Sequence, residues 1–410
     1  MSFDIALSGI QAIDQQLDQI SNNIANSGTY GFKSTRDNFS ALYAGAGTPN
    51  GTNIGSTSQS MGLTGGLVNT GDKLNAAING AGFFVVKNIQ GTMNYTRVGI
   101  FGTDTSGYVV DPAGDRVQGN VYTPPSTVAG PVGDLKVPTG QIPAVASTNL
   151  NFVANLSADW VVPTNATWVS PVAAVPGTPA VEADPTTYND SRTSTIYDSL
   201  GTAHTLTQYF VATGPGAVTV HYAVDGTDTG ETQSLAFNTE GQLTSPLVGT
   251  ATPLTFTPTG ADPVSVNFDY TGTTQFAGNT TIATNQADGY ASGGYTGIQI
   301  GADGSIIANY SNNQQQTIGK LAVATFANVD GLQPVDNTSW VATAASGTAN
   351  VGNAGVGQAG TLTVESLEQS NVDITSELVS LMTSQRNYQA NSKVIQTEDT
   401  MLQSLMQALQ

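Results

Sequence analysis

The side chains able to do acid–base or metal chemistry are few in this chain. Two histidines occur, His204 and His221, each inside a stretch that alternates like a strand. No carboxylate stands at a regular ligand spacing from either, so a zinc site lacks its set. There is no cysteine, which removes thiolate catalysis, disulfides and thiol metal sites together. No Gly-x-Ser-x-Gly elbow exposes a nucleophilic serine. Gly80-Ala-Gly82 reads as following no clear strand and opening no helix, which denies it the context of a dinucleotide loop. Asp104, Asp111 and Asp115 do not fit a calcium loop and stand where turns use a side-chain oxygen. The residues therefore assign no catalytic group, no cofactor and no metal.

Bulk composition narrows the partners. Charged residues make up 10 % and hydrophobic residues 39 %, and the net charge of -19 arises from Lys+Arg 11 against Asp+Glu 30. Scattered single bases cannot neutralise a run of phosphates, so nucleic acid is excluded as a partner. The first thirty residues hold Asp4, Asp14 and Asp18 but no Lys or Arg. Their apolar residues are spaced rather than continuous. Neither a Sec-type signal nor a membrane span is expected from that pattern. The lack of cysteine suits a cytosolic or an exported protein.

The elements that carry information are the two ends. Phe3, Ala6, Ile10, Ile13, Leu17, Ile20 and Ile24 recur with alternating gaps of three and four. Ile374, Leu381, Tyr388, Ile395, Leu402 and Leu409 recur every seven. Both are coiled-coil spacings. The C-terminal stripe is mixed at its companion positions, which read Leu378, Gln385, Ser392, Asp399 and Met406. Polar residues there lower stability and fix register. Val379, Val394, Met401 and Leu405 offer a second apolar edge. Two partial stripes on one helix suit a wall of many helices; an ordinary helical hairpin within one chain is the plainer reading. Both termini are expected to be mobile in a monomer and to order on assembly.

Between the ends the chain is rich in Gly, Thr and Pro and reads as β-structure. Strands are expected at Gly82–Val86, Thr193–Tyr197, His204–Ala212, Val218–Val224, Val264–Tyr270, Ser305–Tyr310 and Lys320–Phe326, separated by Gly- and Asp-bearing turns. Phe39, Leu42 and Tyr43 suit a short helix or an extended arm. Residues 45–66 and 341–360 read as flexible linkers. The expected fold class is multidomain and mainly β with α-helical termini. A terminal coiled-coil domain (1–30 with 370–410) joins a connecting region (31–74 with 351–369). Beyond it lie an outer β-domain (75–148 with 290–350) and a barrel-like β-domain inserted at 149–289. Such nesting brings both chain ends to the same side. On these features alone the chain is an assembly subunit, with a secreted β-rich adhesin or a phage-tail-like protein as the other class.

Three sets of residues resemble one family. Ser21-Asn-Asn-Ile-Ala-Asn26 with Ser27-Gly-Thr-Tyr-Gly-Phe-Lys33 resembles the N-terminal motif of bacterial flagellar rod and hook proteins, matching at Asn22, Asn23, Ala25, Asn26, Gly31, Phe32 and Lys33. Leu367-Glu-Gln-Ser370-Asn371-Val372-Asp373, then Gln385-Arg386-Asn-Tyr388, resembles their C-terminal motif. Ala77-Ile-Asn-Gly80, Gly82-Phe-Phe-Val-Val86 and Thr96-Arg97 resemble the entry to their shared β-domain; Asn75 and Asn79 stand where aspartates are expected. Chain length and the segment Thr195–Gly201 favour the hook branch over a distal rod subunit. The resemblance implies a tube whose terminal helices line a channel, with β-domains outside. It implies a non-enzymatic homopolymer, found outside the cell, that meets distal rod, hook cap and junction proteins. It also implies export by the flagellar type III apparatus without a cleaved Sec signal.

Overall fold

The structure is a computed structural model that describes residues 2–44, 48–122, 128–165, 168–174, 179–247, 249 and 251–408. Leu409 lies outside the described residues. The chain forms two compact units, one of residues 1–139, 296–309 and 315–410, the other of 140–295 and 310–314.

The first unit begins and ends with the two helices. Helix α1 spans Ser2–Ala25 and helix α2 spans Ile374–Ala408. The end of α1 is closed by side-chain oxygens and amides. Asn26 Nδ2 donates to the Asn22 carbonyl at 3.0 Å and Ser27 Oγ to the Ile24 carbonyl at 2.8 Å. Gly31 then turns the chain at φ +70, a region that residues with a Cβ rarely enter. The start of α2 is capped by Asp373, whose carboxylate accepts the Thr375 amide at 2.9 Å and the Ser376 hydroxyl at 2.9 Å. The Ser376 hydroxyl, followed by the Thr375 amide, holds the Asp373 carboxyl below its ordinary pKa.

Segment 31–74 is more regular than its composition predicts. Strands β1 (Thr35–Ala44) and β2 (Thr48–Gln59) form an antiparallel pair, with Thr35 opposite Gln59 and Phe39 opposite Ile54. The expected linker at 45–66 is thus a strand over most of its length, and the Phe39–Tyr43 segment is extended. Its Gly, Ser, Thr and Asn residues bury little apolar area, but α1 packs against the pair and supplies what the strands lack. Thr35 is fastened to α1 from both sides, its amide to Asn23 Oδ1 and its hydroxyl to Gln19 Oε1. The expected linker at 341–360 is corrected likewise, because Asn350–Asn353 pairs with Gln315–Thr325.

Beyond the hairpin come β3 (Leu67–Asn69), β4 (Ala76–Asn79), β5 (Phe83–Lys87) and β6 (Met93–Thr96). The returning chain pairs with them: Thr361–Val364 lies on β4 and Ser366–Glu368 on β3, both antiparallel. Gly80-Ala-Gly82 does follow a strand, β4, but leads into another strand rather than a helix. The main sheet runs through Tyr295–Ile300, Ser305–Tyr310, Gln315–Thr325, Arg116–Val121, β5, β6, Ser339–Val341 and Gln333–Val335. Its core packs Phe83, Tyr95 and Trp340 with Met61, Ala322, Ala324 and Leu332. The aromatic rings meet edge to face, Phe83 and Trp340 at 5.5 Å between centroids.

Among the described residues the second unit holds two five-stranded sheets. One runs Asp190–Tyr197, Ala203–Gly214, Ala217–Val224, Thr227–Phe237 and Leu243–Ser245 as an antiparallel meander. The other centres on Asn149–Ser157, flanked by Val264–Asp269 and Thr281–Ala287. The Gln242–Thr274 bridge and a hydrogen bond between Ser194 and Asn285 tie one sheet to the other. One core fills the space between them, built from Leu150, Phe152, Phe210, Val220, Tyr222 and Phe268 among others. Two tyrosines inside it satisfy each other, Tyr222 and Tyr270 sharing a 2.8 Å hydrogen bond, and Tyr270 donates on to Gln208 Oε1 at 2.7 Å. Burial raises both phenols above their ordinary pKa.

Candidate assembly site

The two helices run antiparallel, and their seam is set by small and polar residues. Asn23 Nδ2 donates to Glu377 Oε1 at 2.9 Å. One heptad along, Ser384 Oγ donates to Gln16 Oε1 at 3.0 Å. One heptad further, Gly9 faces Asn391 so closely that a Cβ on Gly9 would lie 2.8 Å from Asn391 Nδ2. Glu377, Ser384 and Asn391 are therefore the row of α2 that meets α1, not the row Leu378, Gln385, Ser392, Asp399. On α1 the residues that meet this row are Gly9, Gln16 and Asn23, with Ala6, Ile13 and Ile20 buried on the same helix.

The apolar rows fall mostly on other faces. Of the N-terminal stripe, Ile13 and Ile20 are buried, Ile10, Leu17 and Ile24 are half-buried, and Phe3 is exposed. Of the C-terminal stripe, Leu381 and Ile395 are half-buried, whereas Ile374, Tyr388 and Leu402 are exposed. Leu378, Val379, Met382, Val394, Met401, Leu402, Leu405 and Met406 are 44–66 % exposed. The register set by Gly9 and Asn391 carries Ser2 to Glu398, so the last turns of α2 run on past the end of α1.

The motif residues converge elsewhere, on a buried polar node below the helices. Lys33 Nζ contacts Glu368 Oε1 at 2.7 Å, and both side chains are 0 % exposed. Arg97 Nη1 contacts the other oxygen, Oε2, at 3.2 Å. Two cations thus share one carboxylate. Both cations also donate to backbone carbonyls, Lys33 to Leu63 at 2.7 Å, Arg97 to Ile78 at 3.2 Å and to Gly80 at 2.8 Å, while Arg97 Nε is buried without a hydrogen-bond partner. Arg97 also lies over the Phe83 ring at 5.2 Å. Burial pulls Lys33 and Arg97 below their ordinary pKa, and the Glu368 carboxylate opposes that pull on both. Asn371 closes the node from the C-terminal side. Its Oδ1 accepts the Ser34 amide at 2.7 Å and its Nδ2 donates to the Ser60 and Leu63 carbonyls. The Gly31 amide donates to the Glu368 carbonyl at 2.8 Å.

Gly31, Lys33 and Asn371 thus meet at this node, whereas Asn23 ties α1 to Thr35 and Glu377, and Asp373 caps α2. Asn22 and Asn26 serve the end of α1, and Ser370 Oγ accepts the Val372 amide at 3.3 Å. Phe32 and Val372 are half-buried; Ala25, Gln385 and Arg386 are exposed. The Glu368–Arg97–Lys33 cluster was missed by sequence reasoning, although all three residues lie within the quoted motifs. Their signal was the rarity of charge in a chain only 10 % charged.

The histidines lie apart, in the second unit. His221 stacks on Trp168 at 4.6 Å. His204 stands between Asp225, 2.6 Å from Nδ1, and Asp198, 3.5 Å from Nε2. Asp104 and Asp111 cap their own turns, each accepting backbone amides.

These features have counterparts in known proteins. Residues 3–33 match the model of the flagella basal body rod protein, and 364–408 that of the flagellar basal body rod FlgEFG protein C-terminal region. Residues 77–144 match the flagellar hook protein FlgE/F/G D1 domain, and 163–290 the flagellar basal body protein FlaE D2 domain. The chain is 36 % identical to the flagellar hook protein FlgE of Salmonella typhimurium over 417 residues, covering 99 % of each. It belongs to the flagellar hook protein family. Identity to the FlgE proteins of Escherichia coli and Treponema pallidum is 35 % and 32 %, with at least 97 % of each chain covered. The FlgE2 hook protein of Helicobacter pylori shares the fold, with a TM-score of 0.51 at 13 % identity over 74 % of this chain and 99 % of that one.

Proposed function

We propose that this chain is the structural subunit of a bacterial flagellar hook, polymerising into a short curved tube that carries motor torque to the filament. The observation that carries this reading is the mismatch on α2. The row that meets α1 is polar or small, while most of the apolar side chains of α2 are exposed. Full burial of each such side chain is worth roughly 1.5–3 kcal/mol, a gain available only when other copies cover them. The overhanging end of α2 is left for a neighbouring copy to cover. Terminal helices then form the wall of the channel.

A curved tube that rotates must shorten the rows of subunits on its inner side and lengthen them on its outer side. The helical wall keeps continuity while contacts between β-units exchange. Polar Thr-, Asn- and Gln-rich surfaces suit that exchange, because water replaces each lost hydrogen bond. The Lys33–Glu368–Arg97 node supports the reading from within one subunit, since it fastens the segments entering and leaving the helices to the first β-unit. Distal rod below, cap during growth and junction protein above are the partners this role requires, with delivery by the flagellar type III exporter to the outside of the cell. No step of the role calls for an enzyme.

Complementation tests the proposal. Expressed in a bacterium lacking its own hook subunit, the chain is expected to restore curved hooks and swimming. Straight rods or no surface structure, with the protein exported, would reject it.

A further inference from the structure

We propose that the cleft between two turn tips of the first unit, Asn88–Gly91 and Asp111–Gly114, docks a carboxylate of a second copy of this chain. The inference rests on the polymer reading above, which supplies that second copy. The cleft is about 390 Å³ and is lined by Lys87, Arg116 and the backbone of 88–91 and Gly114, with no Asp or Glu among its described lining residues. Lys87 and Arg116 are cross-strand neighbours. Both reach Asp134, which stands 2.9 Å from Arg116 Nη1 but 3.7 Å from Lys87 Nζ, too far for a hydrogen bond, and Asp104 also acts on Arg116 through its charge. The Arg116 guanidinium carbon lies over the Tyr108 ring, 3.9 Å from its centroid, and its hydrogen bond to Asp134 orients it further. Ile89 at the rim is 89 % exposed. Two part-exposed cations on adjacent strands, with no carboxylate among the described lining residues, and an exposed apolar rim are arranged for an acidic turn.

Charge complementarity names the occupant. The unit of residues 140–295 and 310–314 carries twelve Asp and Glu against one Arg. That residue, Arg192, is already paired with Asp190 at 2.8 Å. The acidic turns of this unit in a second copy are the ligand, and each contact sets register between copies rather than supplying most of the affinity. Because the cations are part-exposed, the contact weakens as salt screens it.

Carbodiimide coupling, which joins a lysine to a carboxylate in direct contact, tests the site on assembled tubes. Tubes are grown from a mixture of normal and ¹⁵N-labelled chains and digested for mass spectrometry. The expected product joins Lys87 to an Asp or Glu of 140–295 in mixed-isotope pairs. Lys87 left uncoupled, coupled only within its own chain, or coupled to another part of the second copy would overturn the site. The Lys87→Gln/Arg116→Gln variant is expected to form tubes whose dissociation depends less on salt; an unchanged dependence would overturn the site as well. Failure of the unaltered chain to form any tube would overturn the hook reading and this site with it, whereas tubes without the Lys87 link overturn this site alone.

Discussion

Glu368 shows at residue scale why a chain so poor in charge keeps a few charges at fixed places. A buried carboxylate between two buried cations adds little net stability, because desolvation offsets much of the attraction. Removing it leaves two uncompensated cations in the interior. Glu368→Gln is therefore expected to destabilise the first unit by about 3–5 kcal/mol. The check is urea unfolding followed through Trp340 in a background carrying Trp160→Phe and Trp168→Phe. His204 makes a pH-dependent counterpart in the second unit. Burial opposes its charge, but Asp225 and then Asp198 outweigh that and raise its pKa above the ordinary imidazole value. Its contribution is fully present below the ordinary value and is lost as pH rises through the raised one. His221 is lowered by burial, so its contribution is lost as pH falls. Unfolding of the second unit, followed through Trp168, is expected to weaken on both sides, with His204→Asn flattening only the alkaline limb.

Helices and strands differed in how far the sequence revealed them. Heptad spacing located both terminal helices, because a period of seven is a property of the helix itself. It did not reveal which row of α2 would meet α1. Glu377, Ser384 and Asn391 are polar or small, and their pairing depends on Asn23, Gln16 and Gly9 far away in the chain. The β1–β2 pair was obscured for a related reason: Gly, Ser, Thr and Asn spell a linker locally, and the support comes from α1. The seam yields its own prediction. Gly9→Val places a branched side chain against Asn391, and amide exchange over 384–395 in the monomer is expected to rise tenfold or more, about 1.4 kcal/mol of local opening. Unchanged protection there would mean that the close approach of the helices does not govern their pairing.

At the scale of the whole molecule, family membership and the exposed apolar rows of α2 converge on assembly. Leu402→Asp with Leu405→Asp is expected to leave the monomer folded, since both side chains are exposed, yet to abolish polymer growth as judged by sedimentation. Helical termini around a β-rich body were legible from coiled-coil spacing at both ends and a Gly-, Thr- and Pro-rich middle. The lock within the helix-bearing unit was not, because Lys33, Arg97 and Glu368 meet only in three dimensions. The most direct test of the central claim is an electron cryomicroscopy reconstruction of the polymer formed by the purified chain. A curved tube is expected, with α1 and α2 lining the channel and Leu378, Met382, Met401 and Leu405 covered by neighbouring copies. A tube in which these residues face solvent, or whose channel is lined by the β-units, would contradict it.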